Sequence, residues 1–225
     1  MAEAPQTPHR RARVAIPAVI AGGVSALLLA FSMTPTFAQL TAAIANSTNN
    51  AGTGTLIMEE KNAAGTVTCL STDGGSVITN SATCATINKY GGDLAMVSGE
   101  TVTTTITIKN VGTAPAAAFS LTPSPCTQSG GVTGSATDLC TKTTVTITGT
   151  GTAGAKPVYS GTALALGTGG AIDVLAKLLQ AQATIEPGAT VSFTIAVKTG
   201  ASTTDLGNTY QGLKISQPLS WTFTA

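Results

Sequence analysis

Beyond residue 50 the chain alternates apolar and polar side chains with a period of two. Val102, Thr104, Ile106 and Ile108 share one face of TVTTTITIK (101–109), and Thr103, Thr105 and Thr107 share the other. The same alternation sets Val191, Phe193, Ile195 and Val197 on one face of TVSFTIAVK (190–198). It recurs with Val145 and Ile147 in TTVTITG (143–149), and with Leu219, Trp221 and Phe223 in LSWTFTA (219–225). A strand that buries one face and wets the other has this period, and β-branched threonine suits the wet face. Turn signals separate the runs at Asn110-Val111-Gly112, Pro187-Gly188 and Asp205 to Asn208. Further strands are expected near 53–58, 66–70, 93–98, 116–122, 158–165 and 213–217. Many short antiparallel strands joined by Gly-rich turns predict an all-β protein built as a β-sandwich.

One stretch changes period. In AIDVLAKLLQAQ (171–182), Ile172, Val174, Leu175, Leu178 and Leu179 follow helical spacing. A short inserted helix is expected over 171–181, either capping an open end of the sandwich or offering a face to a partner.

The N-terminal pattern is different again. His9-Arg10-Arg11-Ala12-Arg13 is basic, and Ala18 to Phe31 is apolar, a length suited to the core of a secretory signal and short for a membrane span. Pro35 breaks any helix there, and Thr36-Phe37-Ala38 fits a signal-peptidase site. The expected organisation is a signal peptide over 1–38, an N-terminal segment over 39–53, and a β-sandwich domain over 54–225. Cleavage between Ala38 and Gln39 would release a secreted, extracellular or cell-surface protein that meets the membrane only through its uncleaved leader. The competing reading keeps the leader as an anchor. The chain stops at PLSWTFTA within a strand pattern, so covalent wall attachment is not expected.

Charge and composition then narrow the chemistry. Every arginine and the single histidine lie in the leader, and the remainder balances lysines against acids. Such a chain offers no phosphate-binding footprint, so no nucleic-acid partner is expected. No histidine past His9 also means no Ser-His-Asp arrangement and no His-Glu-x-x-His zinc helix. GTGGAID (167–173) is the nearest approach to a phosphate loop, and it lacks the lysine. Glu59 and Glu60 are adjacent, so in a strand they face opposite ways and read as a solvated strand end. Asp73 is a lone acid, weak support for a calcium loop, and Asn46-Ser47-Thr48 matches a short glycosylation pattern. No enzyme activity, cofactor or metal is expected.

Cys69, Cys84, Cys126 and Cys140 all follow the leader. An even number of cysteines in an exported chain reads as disulfides. Three pairings are possible, and the local one, Cys69–Cys84 with Cys126–Cys140, is favoured because each pair brackets a polar stretch. A zinc site fits poorly, with no Cys-x-x-Cys and no available histidine.

Several motifs together resemble the TasA/camelysin family of exported proteins. They are the leader ending Thr36-Phe37-Ala38, the polar-apolar segment Gln39 to Thr53, and Gly54-Thr55-Leu56 at the first strand. GETVTTTITIKNVGTAPAAAFSL (99–121) is similar to that family's second signature, and IEPGATVSFTIAV (185–197) and NTYQGLKISQPLSWTFTA (208–225) to its closing strands. The resemblance implies a jelly-roll or immunoglobulin-like antiparallel β-sandwich, a SipW-type signal peptidase as processing partner, and assembly with copies of itself into biofilm fibres. The metallopeptidase annotation attached to some members has no residues here to receive it. The four cysteines and the 171–181 helix depart from the TasA pattern.

The functional expectation is therefore a secreted structural subunit of a surface fibre, with a monomeric, adhesin-like binding module as the alternative. Leu40, Ala42 and Ile44 alternate on one face of QLTAAIAN, and a flexible stretch from Ser47 to Gly52 follows. A strand on a polar hinge suits donation into a neighbouring sandwich, which makes those three residues the expected donor-strand contacts.

Overall fold

The alternating stretches at 101–109, 143–149 and 190–198 become central strands of a two-layered antiparallel sandwich, and that at 219–225 an edge strand. The computed structural model describes residues 51–75, 79–179 and 184–225. Residues 52–225 form one unit. The expected leader, the Ala38–Gln39 junction, the donor-strand contacts Leu40, Ala42 and Ile44, and the Asn46 glycosylation pattern lie outside the described residues.

The first layer has six strands: β1 (Met58–Asn62), β2 (Thr68–Leu70), β3 (Thr101–Asn110), β6 (Thr143–Gly151), β7 (Gly154–Thr162) and β9 (Thr190–Thr199), in the spatial order β2-β1-β3-β9-β6-β7. The second has three: β4 (Ala118–Pro123), β8 (Ile172–Asp173) and β11 (Leu219–Thr224), in the order β11-β4-β8. β5 (Thr127–Ser129) and β10 (Lys214–Ser216) pair as a separate ribbon. Register follows the apolar pattern. Ile106 lies opposite Phe193 and Ile108 opposite Val191, while Val145 and Ile147 lie opposite Val197 and Ile195. All eight are buried and meet Phe119 and Leu121 from β4. The aromatic rings tie the layers together: Phe119 stands edge-on to Phe193 with centroids 5.8 Å apart, and Trp221 lies 4.5 Å from Phe193. The opposite face of β3, β9 and β6 carries Thr103, Thr105, Thr107, Thr194, Thr146 and Thr148, as the alternation requires.

Among the described residues there are three short α-helices: α1 (Leu139–Lys142), α2 (Ala163–Thr168) and α3 (Val174–Leu179). The helix expected over 171–181 begins three residues later, because Ile172 and Asp173 are used as β8 and pair with Leu121 and Ser120. The Asp173 carboxylate then accepts the N–H of Ala176, the usual role of an acid at a helix start. Val174, Leu175 and Leu178 are buried in the domain's own core, so these apolar residues of α3 close the side of the sandwich between β7 and β4. Gly149 makes room for this helix. A β-carbon there would lie 2.6 Å from Leu178 and 3.1 Å from Phe193.

Other expectations shift. Residues 53–57 are not a ladder strand; they run past the 110–114 turn, where Thr55 O accepts the N–H groups of Thr113 and Ala114. Gly112 is needed there, since a β-carbon would come within 2.2 Å of Thr55 O. Asn110 holds the turn from inside, donating to Ala114 O and Ile185 O at 2.9 Å and accepting the Gly112 N–H. The strand expected over 93–98 is a loop. Asp93 accepts the Ala95 N–H and Glu100 accepts the Val97 N–H, so side chains satisfy the backbone in place of a partner strand. The strand expected to end at 165 stops at Thr162, whose hydroxyl accepts the Ala165 N–H and starts α2.

Sheet edges differ in how they are guarded. β7 carries Lys156, Pro157 and a register shift opposite Ile147/Thr148, all of which discourage a further strand. β8 has two residues and β2 three. β11 has six, with no proline or charge inside it.

Candidate strand-acceptor groove

β11 is the half-covered edge of the smaller layer. Its burial pattern makes the point against β4, its neighbour. The inward side chains of β4, Phe119 and Leu121, are fully buried, whereas Leu219, Trp221 and Phe223 face the same interior and remain half-buried. Among the described residues, β11 pairs with β4 along one edge and with no strand along the other. A cavity of about 840 Å³ runs beside that edge. Leu56, Met58, Leu213, Ile215 and the five residues Leu219 to Phe223 are among those that line it.

The opposite wall is the rim of the larger sheet, closed by the loop that follows residue 79. Cys69 on β2 is bonded to Cys84 in that loop, with Cα atoms 5.8 Å apart. Cys126 is bonded to Cys140 at the start of α1, with a Cα separation of 6.1 Å. The local pairing is therefore the one the structure carries, and all four cysteines are used. Disulfides of this kind belong to proteins that fold in an oxidising compartment. Among the described residues no helix is long and apolar enough to cross a membrane.

Polar groups in the groove were not legible from the sequence. Glu60, expected at a solvated strand end, is buried on the inward face of β1 opposite Ile108. Lys89 reaches it from the loop at 2.8 Å, and the two side chains are only 12% and 11% exposed. The contact is an ion pair whose orientation falls short of a hydrogen bond at that carboxylate oxygen. Glu59 points the other way and pairs with Lys61 at 2.9 Å. Tyr90 donates its hydroxyl to Gln217 at 2.5 Å, and Gln217 donates to Ser124 O and Ala163 O. Burial, with a smaller push from the nearby Tyr159, drives the Tyr90 phenol far above the ordinary tyrosine range. The indole N–H of Trp221 is buried and finds no hydrogen-bond partner among the described residues.

The remaining candidates are structural. Asp73 sits in a short 3-10 turn and accepts the Leu70 N–H at 2.6 Å. The 167–173 stretch joins α2 to β8. Among the described residues no three acidic, histidine or cysteine side chains gather as metal ligands would. No protein-family model matches the chain, and no curated protein matches it significantly.

Proposed function

We propose that this protein is the exported subunit of an extracellular fibre, in which the segment after Ala38 completes the sandwich of the next subunit along the free edge of β11. The observation that carries the reading is the contrast between neighbouring strands: β4 buries its inward residues fully, and β11 leaves Leu219, Trp221 and Phe223 half-covered beside an open groove. An edge strand presents unpaired N–H and C=O groups that another chain satisfies. Leu40 and Ile44 supply the apolar contacts, each contributing roughly 1.5–3 kcal/mol when fully buried. The TasA/camelysin resemblance supports the same reading and adds a SipW-type peptidase, whose cut between Ala38 and Gln39 frees the strand.

The test removes residues 39–50 from the full-length chain while keeping the leader and its cleavage site. Export should persist, and negative-stain microscopy should find folded monomers without fibres. Ile44→Asp should act alike, because it forces a charge into an apolar slot. Normal fibres from either variant would refute assembly through this segment. A monomeric binding module is the second reading, favoured by the Lys89–Glu60 pair, a polar feature that strand docking does not require.

A further inference from the structure

We propose that residues 90–96 are a movable flap in the wall of this cavity, latched shut by the hydrogen bond between Tyr90 and Gln217 and pivoting on Gly91 and Gly92.

Two fixed posts bound the flap. On its N-terminal side Ile87 is buried in the core, and Lys89 is paired with Glu60 on β1 at 2.8 Å. On its C-terminal side Val97 O accepts the Thr199 hydroxyl at 3.0 Å. Ser98 donates to Ser202 O and accepts the Leu206 N–H. Lys89 is thus held by the larger layer, and Val97 and Ser98 by its strand β9 and the loop that leaves it. Between the posts, Gly91 to Ala95 are exposed, Leu94 most of all. The backbone contacts there are local. Asn88 accepts the N–H of Tyr90 on its side chain and that of Gly91 on its carbonyl, and Asp93 accepts the Ala95 N–H. Yet Tyr90, Gly92, Asp93, Leu94 and Met96 all line the cavity.

Tyr90 is what ties this stretch to the other side. Its hydroxyl donates at 2.5 Å to Gln217, which stands between β10 and β11. Gln217 is not free to follow a moving flap. It is 8% exposed, and its amide nitrogen donates to Ser124 O at 2.9 Å and to Ala163 O at 3.0 Å. Among the described residues, this is the hydrogen bond that carries the flap across to the smaller layer. The pivot lies next to the latch. Gly91 and Gly92 have φ of +82° and +75°, values that glycine adopts without steric cost. A hinge is a short stretch that absorbs such dihedral changes. A β-carbon at Gly91 would lie 2.3 Å from Val102, so the pivot rests directly on β3.

In the open form the Tyr90 hydroxyl and the Gln217 oxygen both bond to water. Removing the hydroxyl leaves that oxygen buried and unpaired only in the closed form. The open population should then rise by roughly two- to tenfold, the worth of one neutral hydrogen bond. Access to the interior of the groove is thereby governed within one subunit, whatever the groove receives.

A thiol on the flap reads its position. All four native cysteines are in disulfides, so full-length Met96→Cys carries a single free thiol, on a half-buried position that lines the cavity. Its alkylation by iodoacetamide, located by peptide mass spectrometry, is timed alone, with Tyr90→Phe and with Tyr210→Phe. Tyr210 lines the same cavity but bonds Asp138, outside the flap, at 2.7 Å. Tyr90→Phe should raise the rate roughly two- to tenfold, and Tyr210→Phe should leave it unchanged. An unchanged rate in Tyr90→Phe, or an equal rise in both, would overturn the latch. So would a rise matched by faster hydrogen exchange along β3 and β9, since the whole sandwich would then be loosening. None of these outcomes depends on fibre formation, which the deletion of 39–50 tests separately.

Discussion

Removing the ammonium of Lys89 gives the sharpest test of how the groove wall is held. Glu60 lies on the inward face of β1, its side chain 11% exposed, and Lys89 is its cationic partner at 2.8 Å. Lys89→Met keeps the length of the side chain and leaves a buried carboxylate unpaired. Loss of one partner of a buried pair costs about 3–5 kcal/mol, because the remaining charge keeps its desolvation penalty without the attraction that offset it. Replacing both charges, Glu60→Leu with Lys89→Met, should restore stability to within about 1 kcal/mol of the parent or exceed it, since a well-packed apolar pair often matches a buried ion pair. Urea unfolding of the purified protein, followed by Trp221 fluorescence, measures both. The coupling from the double-mutant cycle should exceed about 2 kcal/mol, the scale of residues in direct contact. A Lys89→Met variant within about 0.5 kcal/mol of the parent, the scale of an ordinary surface substitution, would show that water reaches Glu60 and that this wall is not closed.

Three further outcomes follow from the packing. Gly149→Ala should destabilise the domain by about 1–3 kcal/mol in the same urea assay, since the new methyl overpacks against Leu178 and Phe193. Cys126→Ser with Cys140→Ser should cost roughly 3 kcal/mol by loop-closure entropy, read as a lower thermal midpoint. Tyr90 has a folded pKa raised above its unfolded value by burial, so its contribution is complete below about pH 10 and is lost as the pH climbs beyond it. Alkaline unfolding should therefore begin above that pH and ease in Tyr90→Phe, with tyrosinate absorbance reporting the transition.

The parts of the fold that were legible in the sequence are those where burial repeats locally. β3 and β9 have one wet and one dry face along ten residues each, so their period alone identifies them. β1 was not legible, because MEEKN places Glu60 inward and only Lys89, from a distant loop, makes that tolerable. Residues 93–98 mislead in the opposite direction. Their apolar content suggests a strand, yet Leu94 is 78% exposed and local carboxylates take the backbone N–H groups. At 158–165 the alternation gives no warning that the Thr162 hydroxyl will start a helix. The groove was hidden for a related reason. Its walls come from β1, β2, β10, β11 and a loop, and a void is a property of how they meet, carried by none of them alone.

The unequal guarding of the sheet edges bears on the shape of any assembly. Lys156, Pro157 and the register shift protect β7, and β8 and β2 are too short to template much. If strands are exchanged as proposed above, the one long, uncharged edge among the described residues would give each subunit a valence of one acceptor for one donor segment. Units of that valence would grow as unbranched threads one molecule wide and would not thicken into sheets. Thread length would then be governed by how often a growing tip meets a subunit whose leader has just been cut.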